Sequence, residues 1–376
     1  MKKLFSLLLY VFIPIAAGAQ YIITKNENEL GISGMITTLY NDNILKPGLT
    51  DKSKNSFYLR DAQLEIEAKL KKNYEFKIHM DFANWLSGIN DPETPGLMDA
   101  YMIYHGLKFV DIKLGYQKLP YSRNSLVSFA YSPFFHRSQF TKGDVFSHRD
   151  IGITLKRGFF EDKLKIFAGA YSGMGESSLS VPNDPSGKLE YIGRIEFSYP
   201  EAMKYREIDI EKSETFSFSV GLNERYAEKA TYTGYEYFIK TINGKKSLYG
   251  IDLYAKFKGW SFSFEINQAK LKPNTTDLTV GYKTDYVMAG GWLMQLNYYF
   301  SGLNSAISYR YDESNLNDLV PGKYAANVFS YMYLLKHFDS VIRLNYTSLK
   351  SEEPLPGLDP KKWNSQLTIG WQFMFN

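Results

Sequence analysis

From residue 57 onward, apolar and polar residues trade places at nearly every step. In AQLEIEAKL the positions Ala62, Leu64, Ile66, Ala68 and Leu70 are apolar, and Gln63, Glu65, Glu67 and Lys69 are polar. A period of two predicts a strand with one oily and one wet face. NYEFKIHMDFAN continues the pattern, with Tyr74, Phe76, Ile78, Met80 and Phe82 set against Glu75, Lys77, His79 and Asp81. Only Lys71, Lys72 and Asn73 lie between the two runs, which predicts a tight hairpin. The chain ends the same way, in QLTIGWQFMFN, where Leu367, Ile369, Trp371, Phe373 and Phe375 form an unbroken apolar face.

Extended along the chain, this pattern predicts about sixteen strands. The first eight lie near 30–40, 57–70, 73–84, 98–106, 109–117, 150–157, 164–171 and 190–199. The others lie near 215–223, 249–257, 260–268, 286–299, 303–311, 325–335, 340–348 and 366–376. Links alternate in character. Short ones, such as Leu107-Lys108, Lys258-Gly259 and Ser301-Gly302, follow even-numbered strands, and long polar ones follow odd-numbered strands. The even-strand link 200–214 is the exception, being longer than a turn.

This asymmetry is that of an outer-membrane barrel, with tight turns on one rim and long loops on the other. In hydrocarbon an unpaired backbone N–H or C=O costs several kcal/mol, so a spanning sheet must close on itself. The last strand is therefore expected to pair with the first and to turn Leu367, Ile369, Trp371, Phe373 and Phe375 to lipid. The bland alternative is a soluble sandwich or lipocalin-like barrel, but those folds use about seven to ten strands and bury the apolar face in a core. Tyr298, Tyr299 and Phe300, with Tyr309 and Tyr311, are expected in the aromatic girdles at strand ends.

Composition sharpens the picture. Aromatics reach 16%, yet hydrophobic residues total 44% and the mean hydropathy is −0.31, too polar for a helical membrane protein. A net charge of +4 offers no electrostatic case for nucleic acid. MKKLFSLLLYVFIPIAAGAQ has a charged start, an apolar run from Leu4 to Ala17 and an A-x-A exit. It is expected to be a signal peptide over 1–19, cleaved after Ala19, which leaves 20–376 as one barrel domain. The apolar run is shorter than the roughly 20 residues a retained anchor needs. There is no cysteine, so disulfides play no part and a lipoprotein is excluded.

Candidate chemistry concentrates in the longest link, 118–149, whose middle is too apolar (Phe129, Tyr131, Phe134, Phe135) to sit freely in water. A third extracellular loop folded inward would account for those residues and would narrow the channel. Lys118, Arg123, Arg137, Lys142 and Arg149 stand there against Asp144, a basic excess that favours anions where low-dielectric walls focus the field. Wet-face positions of the wall supply Lys69, Lys77, Lys113, Lys156, Lys165, Arg194, Lys256, Arg310 and Arg343. Asp61, Glu65, Glu67, Glu75, Asp81, Asp99, Asp111, Glu196, Asp252 and Glu265 oppose them, so pairing across a wet lumen is the rival reading for the wall. Arg60 breaks the parity of its strand, so it stands either above the hydrocarbon or on a bulge that turns it inward.

Enzyme readings find little support. The histidines 79, 105, 136, 148 and 337 show no H-E-x-x-H or paired-ligand spacing, and no G-x-S-x-G or P-loop occurs. No catalytic residue, metal or cofactor is expected.

The stretches LRDAQLEIEAKL, YEFKIHMDFAN, LMDAYMIY, LGYQKLPYS, HRS, HRDIGI, GAYSGMGES and GRIEFSYP, in that order, resemble the phosphate-selective porins O and P in their Bacteroidetes form. The likeness is densest from Phe57 to Pro200, with ISYRYD and the QFMFN ending carrying it further. It implies a sixteen-stranded outer-membrane barrel, usually a homotrimer, whose inward third loop passes small anions such as phosphate. It also aligns Gln117, Lys118, Pro120, Arg137 and Arg149 with the third-loop neighbourhood. Where the family often carries a run of arginines, this chain has only Arg60, with Asp61 and Gln63 beside it. The expected surroundings are outer-membrane lipid and lipopolysaccharide. The alternative function is a non-selective or structural barrel whose long loops, 118–149 and 224–248 with tyrosines at 226, 232, 235 and 237, dock another protein.

Overall fold

The computed structural model describes residues 21–25, 27–42, 55–71, 73–83, 96–141, 145–274, 286–354, 359–360 and 362–375. The expected signal peptide, Lys142 and Asp144 lie outside them. Strand β1 (Tyr21–Lys25) forms a short hairpin with the start of β2 (Asn28–Asp42). There follow β3 (Asn55–Leu70), β4 (Tyr74–Asp81), β5 (Leu97–Tyr104), β6 (Asp111–Lys118), β7 (Arg149–Phe159), β8 (Leu164–Tyr171), β9 (Glu190–Tyr199) and β10 (Ser217–Lys229). A small separate hairpin, β11 (Thr233–Tyr235) with β12 (Phe238–Thr241), interrupts the series. The chain completes it with β13 (Gly244–Phe257), β14 (Trp260–Pro273), β15 (Val287–Phe300), β16 (Ser305–Asn315), β17 (Tyr324–Lys336), β18 (Ser340–Ser351) and β19 (Asn364–Phe375).

Every strand from β2 to β10 and from β13 to β19 pairs antiparallel with its neighbours, and β19 returns to β2 in register from Leu367↔Asp42 to Phe375↔Gly34. The result is a closed 16-strand barrel, as the alternation predicts. Closure leaves no sheet edge, the condition hydrocarbon imposes. Outward positions carry exposed apolar side chains, among them Ile195, Leu222, Ile251, Phe329, Ile369, Trp371 and Phe373. Inward neighbours such as Arg194, Asn223, Asp252 and Gln372 are buried.

Two sequence expectations resolve here. Thr37 pairs with Asp61 but Thr38 pairs with Leu59, so Arg60 is the extra residue of a β-bulge. Phe57 and Leu59, at odd positions, point outward before the bulge, and after it the outward positions are even ones such as Ile78 on the paired β4. Tyr299, by contrast, does not join an aromatic girdle. Its ring is buried inside the barrel with Ala306, Met332 and Ile208, while Tyr298 stacks outward on Trp260 at 4.6 Å.

Because a one-residue slip turns a whole strand over, the bulge keeps both ends of β3 oily side out. Deleting Arg60 is expected to abolish barrel formation, whereas Arg60→Lys folds. Heat-modifiable migration of detergent-refolded protein on gels reads the difference.

Candidate functional site: a loop seated across the lumen

The link between β6 and β7 (residues 119–148) enters the barrel, as its apolar middle predicts. It carries a one-turn helix α1 (Arg123–Leu126) and two 3-10 turns, Phe129–Tyr131 and Gln139–Thr141. Inside a barrel its backbone has no sheet to bond to, and each buried polar group left unpaired would cost about 1–3 kcal/mol. Wall side chains supply the partners. On β10, β13 and β14, Asn223 Oδ1 accepts from the Ser122 N–H at 3.3 Å and Asp252 Oδ2 from the Arg123 N–H at 3.3 Å. Glu265 takes the Ser122 hydroxyl and the Asn124 N–H, the latter at 2.9 Å.

The far half of the loop is held on β16 to β19. Phe135 N–H donates to Asn345 Oδ1 at 2.9 Å, while Ser330 Oγ (2.7 Å) and Asn345 Nδ2 (3.1 Å) both donate to the Pro133 carbonyl. Arg310 donates to the His136 carbonyl at 2.9 Å, and Arg343 to the Ala130 carbonyl at 3.0 Å. Two inward glycines give the loop its closest approach. A Cβ on Gly370 would lie 2.6 Å from the Phe135 ring, and one on Gly291 would lie 2.8 Å from Phe140.

Two further layers clasp the loop. On the long-loop side, Ile239 and Ile242, in and beside β12, join Phe140, Val145 and Phe146 in one apolar cluster. Tyr235 donates to Glu353 at 2.7 Å and its ring packs on Phe238 of the same hairpin. On the short-turn side, the exceptional link 200–214 turns into the lumen, with Met203, Glu207, Ile208 and Asp209 buried. Glu207 accepts from Asn124 (3.2 Å) and Ser132 (2.7 Å) of the loop and from Gln295 (3.2 Å) of the wall. Nothing in the alternation of strands announces this second insertion; its excess length is the one signal.

The predicted basic residues separate into distinct places. Arg123 faces away from open space: it donates to the Lys204 carbonyl at 2.7 Å and lies over Tyr254 at 4.1 Å. Arg194 and Arg310 are likewise buried under the loop. Arg194 bonds Glu196 (2.7 Å) and Asp252 (2.5 Å), and Arg310 bonds Asp312 at 3.0 Å and covers Phe134. Their place in a solute-lining wall is therefore corrected: Arg310 anchors the loop through the His136 carbonyl, and Arg194 braces Asn223 and Asp252, which bond the loop backbone. Lys69 sits exposed at the short-turn rim beside Glu29. Arg60, turned inward by its bulge, pairs with Asp61 and covers the Phe129 ring at 4.3 Å.

Lys77, Lys113, Lys118, Arg137 and Arg149 do come together, around two cavities of about 230 and 360 Å³ that share Lys77, Asp99 and Lys118. These cavities lie between the inserted loop and the wall from β2 to β8, with Met374 of β19 at one side. Lys156 joins the five, and Glu65, Asp99 and Asp111 are the acids in the same lining. Arg149 bonds Asp99 at 3.2 Å, Lys77 bonds Glu65 at 2.8 Å, Lys118 donates to the Leu126 carbonyl, and the Lys113 ammonium lies 3.6 Å from the Tyr101 ring centre. Arg137 reaches the carbonyls of Asn124 and Val127 while stacking on Phe129. The mixed pairing expected for the wall thus holds beneath the loop, and a basic surplus lines the space beside it.

Comparison with known proteins follows the same geometry. Residues 40–178 match the family model of the phosphate-selective porins O and P. The resemblance read from the sequence is thereby borne out over the segment that contains the bulge, β3 to β8 and the inserted loop. The barrel superposes on porin structures: an anion-selective porin from Comamonas acidovorans (TM-score 0.57, 12% identity, 93% of this chain and 100% of that one). OprB of Pseudomonas putida gives a TM-score of 0.60 at 13% identity, covering 92% of this chain and 94% of that one. OmpT of Vibrio cholerae, in a trimer form, gives 0.58 at 9%, covering 92% and 99%. At these identities the likeness is one of fold. An uncharacterized protein of Aquifex aeolicus is 25% identical over 263 residues, 64% of this chain, and the match spans 63% of that relative's length.

Two substitutions test the seating of the loop in this porin fold. Glu207→Ala removes the acceptor that joins the loop to the inserted link and to Gln295, and Gly370→Val overpacks the Phe135 berth at a cost of about 1–3 kcal/mol. Each is expected to give a larger and noisier single-channel conductance in planar bilayers than the unaltered protein, with Glu207→Gln closer to it.

Proposed function

We propose that the chain is an outer-membrane porin for passive diffusion of small hydrophilic solutes, with a preference for anions such as phosphate. The observation that carries the reading is the basic lining of the space beside the seated loop: Lys77, Lys113, Lys118, Arg137, Arg149 and Lys156 against Glu65, Asp99 and Asp111. A surplus of positive charge between low-dielectric walls concentrates anions and repels cations. Backbone carbonyls and rings hold part of that charge in place, so the cations stand at fixed positions instead of following the solute.

The matched family and the anion selectivity of the Comamonas porin support the same reading. The long-loop rim then faces outward and the short-turn rim the periplasm, where 1–19 is removed after export. Assembly as a homotrimer is part of the proposal, supported by the trimeric form of the Vibrio structure. Lipid and lipopolysaccharide surround the apolar belt.

In a tenfold potassium chloride gradient the reversal potential is expected to carry the sign of chloride preference, and phosphate is expected to reduce the chloride current. Lys113→Glu, on the wall and clear of every loop carbonyl, is expected to move the reversal potential toward zero or across it. A cation-signed potential in the unaltered protein overturns the anion reading.

A further inference from the structure

The wet face of a pore wall is expected to be polar, because it meets water along its whole length. On β5 and β8 that rule fails in one place. Tyr101, Ile103 and Phe167 occupy inward positions, on the same faces as Asp99 and Lys165. All three line the larger cavity, of about 360 Å³, where Leu126 of the inserted loop and the Tyr205 ring of the inserted link meet them. None of the three is buried away from that space. The Tyr205 ring is held in position by its hydroxyl, which donates to Glu196 at 2.9 Å. Four lysines, Lys77, Lys113, Lys118 and Lys156, edge the same cavity against the carboxylates of Asp99 and Asp111, with Lys77 and Lys156 salt-bridged to Glu65 and Asp162.

Inorganic phosphate would use only the lysines of this combination and none of its apolar side. A small dianion keeps its water, and an apolar wall offers nothing in exchange for losing it. An anion with a flat apolar body gains on both counts: its ring or chain leaves water against Ile103, Phe167 and Tyr205, and its carboxylate stays among the lysines. The volume lies at the lower end of the range of small-molecule sites. We infer that the cavity on the short-turn side of the inserted loop is a binding subsite for small organic anions that carry an aromatic or apolar body, typified by aromatic carboxylates. The inference rests on the anion-porin reading above and adds the class of solute that would dwell in the channel.

Benzoate, acetate and phosphate are the probes, added in turn to single channels of the full mature protein in planar bilayers at fixed chloride. Benzoate is expected to interrupt the chloride current at concentrations about tenfold below those of acetate or phosphate, the gain from burying one ring in part. In Ile103→Ser and Phe167→Ser, benzoate sensitivity measured against each variant's own chloride current is expected to fall to that of acetate. Heat-modifiable migration confirms that both variants form the barrel, and Phe167→Tyr, which keeps the ring, retains the blockade. Equal potency of benzoate and acetate in a chloride-selective channel overturns the subsite alone. Benzoate blockade that survives both serine variants also overturns it. Loss of chloride preference in the unaltered protein removes the porin reading on which it stands.

Discussion

A strand inside a closed sheet finds its hydrogen-bond partners in its neighbours, but a segment that crosses the lumen finds none, and everything distinctive about this barrel follows from that difference. Residues 119–141 and 145–148 have no strand structure, so beyond the bonds of their own short turns their carbonyls and amides are met by side chains: Asn345, Arg343, Arg310, Ser330, Asn223, Asp252 and Glu265. A carboxylate or guanidinium placed in the interior for this task needs its own partners, which is why Arg194 and Arg310 have carboxylates beside them. Most of the hydrogen bonds that hold the loop come from strands β10 to β19, and the wall from β3 to β8 touches it at few points, among them Lys118 on the Leu126 carbonyl and Arg60 over Phe129.

The division of labour between two halves of one wall explains why net charge says little about the channel. Counted over all wet-face positions, bases and acids nearly balance. Counted by place, Asp252, Glu265 and Glu196 serve as acceptors for the loop and the inserted link, and the cavities beside the loop keep a basic surplus. Electrostatic character here is a property of which charges the insertion covers. The family match over residues 40–178 spans β3 to β8 and the loop, the part of the chain in which the expected resemblance is densest.

The strands were legible because a sheet with lipid on one side and water on the other writes a period of two into its residues. Legibility stops where the solvent changes. Beyond residue 223 the outward positions of β10 include Glu224 and Glu228, so the strand runs on to Lys229 although its oily face has ended. The same happens on β14, where Lys270 and Lys272 point outward near its end. Arg60 was legible as a break in parity, and the ladder identifies it as a bulge. The basic residues of the loop were legible as types but not as roles, because their partners are set by contacts far apart in the chain; Gln372 reaches Ala130 across 242 residues. Glycines 291 and 370 carry no signal of their own in the alternation, because the rings of Phe140 and Phe135 that lie against them come from a loop distant in the chain. Link 200–214 carried no periodic signal, since an insertion that bonds through Glu207 and backbone carbonyls needs no alternation.

The berth on β16 to β19 also has a consequence for biogenesis. Asn345 and Gln372, which hold the inserted loop, are synthesised 210 and 242 residues after the loop residues they bond. Contacts this distant form late, after the intervening chain has been ordered. The aperture therefore takes its final width only when the cylinder is complete, and a barrel arrested before its seam closes would lack the grip on its own inserted loop.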